Sequence, residues 1–401
     1  MAGKLVKYFM KCNCEIDAVD LLLEIEHLNM IESYIDKDNI RKIYDYLLGS
    51  SPFSADQEEY KEVLRKAYHF ALKVDEHFLA LRAAFKLDDP ELVQNAFNTC
   101  TDPLVKKQLA LSLGRQRYVV ESTDEELVGA MSNSRISEYF LKLMKDLDIM
   151  KPKHPETDIY KSKNDSQIES SQYNLAMTYT NAFVNLGSGK ETLMNTKEPW
   201  VAHLNKEGQF AAVAGIGLVH LWNVEEANEA LTGYIDLKDS WAKSGACLGL
   251  GISNSGVWSD VDPARAILGE AFEGNESFMK LGASMGFGIA YAGTAREDLR
   301  ENLTAIITDL GVGPDTAGFA AVSLGLIFVS RSDDETINTI LTALMERPAA
   351  ELDQVSARLF GLGLALTCLG QQEKAEAVIE TLKAIEHPVA RYAEVAVESA
   401  S

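Results

Sequence analysis

Cysteine is scarce in this chain, and the five that occur, Cys12, Cys14, Cys100, Cys247 and Cys368, are too scattered for a disulfide framework. A small secreted scaffold is thereby excluded, and a soluble intracellular protein in a reducing compartment is expected. Basic side chains are also in deficit, 38 Lys and Arg against 60 Asp and Glu, for a net charge of -22. A surface so acidic excludes nucleic acid and anionic membrane as partners and favours basic protein surfaces. Long apolar runs are missing too. The longest, 318-GFAAVSLGLIFVS-330, is too short to cross a bilayer, and the opening MAGKLVKYFMKCNCEIDA has neither a secretory apolar region nor a cleavage site.

Catalytic constellations are equally absent from the sequence. The seven histidines, among them His69, His77, His203 and His220, form no HExxH and no close pairing with a carboxylate or cysteine. The stretch 187-GSGKET-192 has a phosphate-loop flavour, but that motif needs glycine where Val184 stands and a hydroxyl where Glu191 stands. Cys12 and Cys14 lack a second ligand pair at zinc spacing. No cofactor, no metal and no enzymatic activity are expected.

Glycine is what the second half has in an unusual place. Runs that otherwise read as buried helix carry small residues at alternate positions: Gly215 and Gly217, Gly249 and Gly251, Gly286 and Gly288, then Gly325 and Gly363 in 323-SLGLIFVS-330 and 363-GLALTCLG-370. A helix-interior glycine costs roughly 1 kcal/mol against alanine. Repeated use therefore implies recovery through close backbone approach. Successive copies are offset by 34, 37, 37 and 40 residues, a spacing that signals a solenoid. After each glycine helix comes a turn and an amphipathic helix: 263-PARAILGEAF-272, 297-EDLRENLTAIITDL-310, 335-ETINTILTALMER-347 and 373-EKAEAVIETLKAI-385. The unit is a helix hairpin with an apolar inner member and a solvated outer one.

The expected fold class is all-α, an α-solenoid of hairpins. Its expected parts are an N-terminal helical rod (1–149), a connector (150–172), a helical lead-in (173–207) and an incomplete repeat array (208–401). In the rod, helices are predicted at 15–28, one or two within 31–49, and then at 58–74, 77–87, 89–100 and 102–116. Asp89 and Asp102 each precede a first-turn proline. Residues 150–172, rich in Pro, Lys and Ser, read as a flexible or surface-wrapping connector. The end, 388-PVARYAEVAVESAS-401, reads as one more inner helix without a polar cap, so a fragment of a longer chain is expected.

On the outer helices the acidic residues align. Ile337, Ile340, Leu341 and Leu344 face inward, which leaves Glu335, Thr342 and Glu346, at i, i+7 and i+11, on one outward line. Glu297, Asp298 and Glu301 on the preceding outer helix and Glu373, Glu376 and Glu380 on the following one extend an acidic wall suited to docking. The pattern alone equally describes a generic α-solenoid adaptor.

The small-x-Gly runs ending in NSG or YAG resemble the proteasome/cyclosome repeat. The segments 20-DLLLEIEHLNMIESYID-36, 92-LVQNAFNTC-100, 130-AMSNSRISEYFLKLMKDLDIMKPKHPETDIYK-161 and 236-DLKDSWAKSGACLGLGISNSGV-257 resemble the family of the 26S proteasome non-ATPase regulatory subunit 2. The resemblance implies a non-catalytic scaffold and receptor of the cytoplasm and nucleus whose repeats close into a toroid. It implies contact with the proteasome ATPase subunits, and binding of ubiquitin chains and of the ubiquitin-like domains of shuttle factors at Glu335, Thr342 and Glu346. It also implies a second site, for a ubiquitin-specific protease, at Glu226 and Glu229.

Overall fold

Aspartate starts the helices of the N-terminal part. Asp56, Asp89, Asp102 and Asp124 each accept hydrogen bonds from the two backbone amides two and three residues on, satisfying donors that have no partner within the helix. The helices they open are the fourth, sixth, seventh and eighth of the set α1 (Ala2–Lys11), α2 (Glu15–Glu24), α3 (Ile40–Ser50), α4 (Gln57–Lys73), α5 (His77–Leu87), α6 (Pro90–Asn98), α7 (Pro103–Arg115) and α8 (Glu125–Met131). The computed structural model describes the chain except residues 1, 55, 161–169, 195–199, 236–239, 260 and 275; the side chains of Tyr160, Ser170, His203 and Glu373 are likewise outside the description. Among the described residues there is no strand.

Two compact units divide the chain, Met1–Ser132 and Asn133–Ser401. Each has its own apolar core. In the first, the expected helix over 15–28 ends at Glu24. Glu26 takes a left-handed conformation (φ 55°), and the amide of His27 reaches back to the Leu22 carbonyl at 2.9 Å. Leu28–Tyr34 is then a 3-10 turn, and only Ile40–Ser50 is α-helical within 31–49. The break between them is an Asx turn, in which Asp36 Oδ1 accepts from the amides of Asp38 and Asn39, both at 3.0 Å. α1 and α8 were not foreseen from the sequence.

The second unit opens with α9 (Ile136–Asp146), also unforeseen, whose Phe140 packs edge-on to Trp222 at 5.5 Å between ring centroids. Within the expected connector, Pro155–Tyr160 forms a π-helical turn. Lys153 is fastened by Asn185, whose amide side chain accepts from the Lys153 amide (2.8 Å) and donates to its carbonyl (2.9 Å). The connector's middle, 161–169, lies outside the described residues. From there the chain alternates between two layers. The inner layer is α10 (Ser170–Val184), α11 (Lys206–Val219), α13 (Ser240–Ser253), α15 (Ser277–Ala290), α17 (Pro314–Ile327), α20 (Arg358–Thr367) and α22 (Pro388–Ala400), each packed on the next. The outer layer is α12 (Val224–Ile235), α14 (Pro263–Glu273), α16 (Arg300–Thr308), α18 (Asp334–Glu346) and α21 (Gln372–Lys383), with the short α19 (Ala349–Leu352) after α18. The expected hairpins are these inner–outer pairs.

The glycines line the inner contacts. A Cβ on Gly251 would lie 2.3 Å from the Gly286 Cα, and one on Gly217 would lie 2.1 Å from the Gly249 carbonyl oxygen. Gly325 meets Gly363, and Gly288 meets Ser323, in the same register. The first glycine of each copy faces the other way. Gly249, Gly286 and Gly363 abut the Val213, Cys247 and Ala321 carbonyls of the preceding inner helix, while Leu231, Leu268 and Ile340 of the outer layer close over them. Gly215 faces Ala182, so α10 already belongs to the stack. Backbone-to-backbone contact on both sides is what offsets the cost of glycine in these helices.

A second periodicity was not legible beforehand. Gly187, Trp222, Gly256, Gly293, Ser330 and Gly370, one after each inner helix from α10 to α20, all have positive φ, between 59° and 77°. All of these turns except the one at Gly256 point an amide at the end of the following inner helix. Gly293 N donates to the Leu326 carbonyl (2.8 Å), Ser330 N to Leu366 (3.1 Å), Gly370 N to Ala400 (2.8 Å), Trp222 N to Ser253 (3.0 Å) and Gly187 N to Leu218 (3.0 Å). These five turns therefore cap the next inner helix's C-terminal carbonyls, groups that a helix leaves unsatisfied. The 187-GSGKET-192 loop is one of these capping turns, and Glu191 uses its carboxylate to accept from the amides of Leu193 and Met194.

Candidate protein-interaction site

α18 carries the residues singled out on the outer face. Asp333 opens it by accepting from the Thr336 amide at 2.8 Å, and Ile337, Ile340, Leu341 and Leu344 are buried against the inner layer. The opposite face presents Glu335 and Glu346 to solvent, with Thr342 half-buried between them. Met345, beside Glu346, is 56% exposed. An apolar side chain thus stands next to a carboxylate at one end of the line, a feature the charge pattern alone did not reveal.

The acids are not equally available. Arg300, on the first turn of α16, is engaged by Glu335 and by Asp333 (2.8 Å), and its guanidinium lies 4.4 Å from the centroid of the Phe328 ring. Asp298 sits in the 3-10 turn Glu297–Leu299 that precedes α16, so Glu297 and Asp298 belong to the entry turn and only Glu301 to the helix itself. Asp298 is held by Arg296 at 2.7 Å and by Arg265 of α14 at 2.5 Å. Hydrogen bonds from Arg296 first, and from Arg265 next, outweigh burial and bring its carboxyl down to about 2. On α21, Glu380 pairs with Lys383 at 2.7 Å, Glu376 is exposed, and the Glu373 side chain lies outside the described residues. Lys374 ties α21 to the entry of α18, donating to the Ser332 carbonyl (3.0 Å) and reaching Asp334 (3.3 Å). Glu297, Glu301, Glu346 and Glu376 carry no ion pair among the described residues.

Sequence reasoning missed the cations that organise this face. Arg347 is the plainest case: wholly buried after α18, it donates to the carbonyls of Ile307, Asp309 and Val312 at 3.0–3.1 Å and to Glu351 at 2.8 Å. It closes the C-terminal end of α16, where a cation also meets the favourable end of the helix dipole. Its carbonyl partners lie 35 to 40 residues back in the chain, so no local pattern announces that role.

At the other proposed position, Glu226 on α12 lies 3.4 Å from His220 Nδ1, a histidine–carboxylate pair across the turn that the sequence did not lead us to expect, and Glu229 is exposed one turn on. Among the described residues no group of His, Cys, Asp or Glu could hold a metal ion, and no helix is long and apolar enough to cross a membrane.

Residues 1–164 match the family model described as the RPN1 N-terminal domain. The whole chain is 37% identical to the 26S proteasome regulatory subunit rpn1 of Schizosaccharomyces pombe over 415 residues, covering 100% of this chain and 46% of that protein. It belongs to that family. The 26S proteasome non-ATPase regulatory subunit 2 of Dictyostelium discoideum is 34% identical over 406 residues, covering 100% of this chain and 45% of that protein. Homolog B of the same subunit in Arabidopsis thaliana is 34% identical over 416 residues, 98% of this chain and 46% of that protein. The chain thus spans about half the length of the relatives it matches, and these members of the family bear the names of regulatory, not catalytic, subunits.

Proposed function

We propose that the chain serves as a scaffold and receptor part of the 26S proteasome regulatory particle base, docking ubiquitin chains and the ubiquitin-like domains of shuttle factors on α18. The observation that carries this reading is the pairing of a carboxylate without an ion pair among the described residues, Glu346, with the exposed thioether of Met345 on an otherwise well-packed outer helix. Ubiquitin-like domains offer an apolar patch rimmed by basic side chains, and such a surface is complementary in polarity and sign. Glu301 and Glu376, on the flanking outer helices, add to the field that steers it in. The patch is small, so each domain binds weakly, and a chain engaging several sites gains through effective concentration.

In the same reading, Glu226 and Glu229 on α12 take the ubiquitin-like domain of a ubiquitin-specific protease, the inner layer continues into a closed toroid, and the array contacts the proteasome ATPase subunits. The test is an NMR titration of a labelled ubiquitin-like domain with this chain and with its Glu335→Arg/Glu346→Arg variant. Shift changes in the domain's apolar patch are expected with the first and not with the second, both proteins having the same helical circular dichroism. Undiminished binding by the double variant would sink the assignment.

A further inference from the structure

Two neighbouring outer helices leave a space between them. The facing rows of α14 and α16 carry Ala266 and Gly269 on one side and Ala305 on the other, side chains too small to close it, and a groove of about 540 Å³ results. Apolar groups line its floor: Ile306 and Val312 are buried, and Phe272 is stacked on Phe287 with ring centroids 5.1 Å apart. Its rim is acidic. Glu270, Glu273, Glu301 and Asp309 line it, none with an ion pair among the described residues, against Lys280 and an Arg265 that is already engaged by Asp298 at 2.5 Å.

We propose that this groove docks a short segment of a partner protein that lays one or two aliphatic side chains between α14 and α16 and sets lysine or arginine against the rim. The sign of the rim rejects phosphates, nucleic acid and acidic peptides, and the apolar floor gives little to a fully hydrated cation. A groove in the size range of small-ligand sites accepts a few side chains and not a folded domain. The groove shares Glu301 with the flank of the line on α18, but its walls come from α14 and α16, and it does not depend on that reading.

The test is fluorescence anisotropy with the whole chain and a labelled synthetic peptide that carries a leucine pair flanked by arginines. A counterpart with glutamates for the arginines and another with serines for the leucines serve as controls. Salt-sensitive binding of the first peptide only is expected. Gly269→Leu projects into the groove from a position where a Cβ meets no atom of the described residues within 4 Å, and binding should weaken at least about tenfold. Glu270→Lys/Glu273→Lys should weaken it comparably, whereas Glu346→Arg on α18 should leave it unchanged. Absence of binding, equal binding of the glutamate peptide, indifference to Gly269→Leu in a protein with an unaltered melting curve, or loss through Glu346→Arg would each overturn the proposal.

Discussion

Arg300 of one outer helix is bonded to Glu335 of the next, so the first acid on the α18 line is partly spent inside the protein before any partner arrives. Glu346, eleven residues on, has no such cation among the described residues. The long-range field changes by one charge whichever of the two is neutralised, but a partner's lysine must compete with Arg300 only at Glu335. Glu335→Gln and Glu346→Gln should therefore lower the association rate of a ubiquitin-like domain similarly. Dissociation should quicken by about threefold to tenfold for Glu346→Gln and by less than about twofold for Glu335→Gln, the pattern of a steering charge against a contact charge. Surface plasmon resonance separates the two rates, and equal dissociation rates for the two variants would mean that Arg300 does not hold Glu335 in solution.

The inner stack predicts a steep penalty for a single methyl. A Cβ on Gly251 falls 2.3 Å from the Gly286 Cα and 2.4 Å from its carbonyl oxygen, and these are backbone atoms that cannot rotate away. Gly251→Ala should cost about 1–3 kcal/mol through overpacking, although alanine is the better helix former by about 1 kcal/mol. On outer helix α12, a Cβ added at Gly233 would meet no atom of the described residues within 4 Å, and Gly233→Ala should instead stabilise. Urea denaturation of the two variants beside the parent checks the opposite signs.

What could be read in the sequence was what neighbouring residues settle among themselves. Asp89-Pro90 and Asp102-Pro103 announce a cap and a first turn, and both helices start there. The spacing of Ile337, Ile340, Leu341 and Leu344 fixes which face of α18 is buried. The glycine register called for close inner contacts, and Gly217 against Gly249 supplies one. Contacts between repeats were hidden. The Arg300–Asp333 pair spans 33 residues, as does Arg265–Asp298, and nothing local to either arginine marks its partner. α1 was missed because no capping side chain or proline flags its start, and the π-turn at Pro155–Tyr160 because its composition reads as loop.

The Arg296–Asp298–Arg265 clamp sets a pH dependence. The folded-state value of Asp298 is brought down to about 2 from the ordinary 3.8, so the clamp's contribution is complete above about pH 4 and is lost as pH falls toward 2. The side chain is 42% exposed, and solvent screening keeps the contribution modest. Asp298→Asn should lower Tm at pH 7, and the difference from the parent should shrink steadily between about pH 4 and about pH 2. Melting curves taken across that range check it, and a difference that stays constant would mean that the carboxylate's charge is not what holds α14 to the entry of α16.

The capping turns place two ordinary residues where the other copies have glycine. Ser330 stands at φ 59° in the position of Gly293 and Gly370, and Trp222 stands there at φ 66°. A left-handed conformation costs an L-residue roughly 1–2 kcal/mol that glycine is spared. Trp222 recovers part of this by packing on Phe140, but Ser330 is exposed and its hydroxyl makes no hydrogen bond among the described residues. Its backbone does the capping, with the amide donating to the Leu366 carbonyl at 3.1 Å and the carbonyl accepting from the Gln371 side chain at 3.1 Å. Ser330→Gly keeps both bonds and should stabilise the chain by up to about 1 kcal/mol, less whatever glycine adds to the entropy of the unfolded state. Ser330→Val keeps the amide but forces a β-branched side chain into the same conformation, and should destabilise by more than the glycine variant gains. Thermal denaturation of the pair decides the matter, because a stabilised valine variant, or a glycine variant that loses more than about 1 kcal/mol, would show that the turn at Ser330 is not held left-handed in solution.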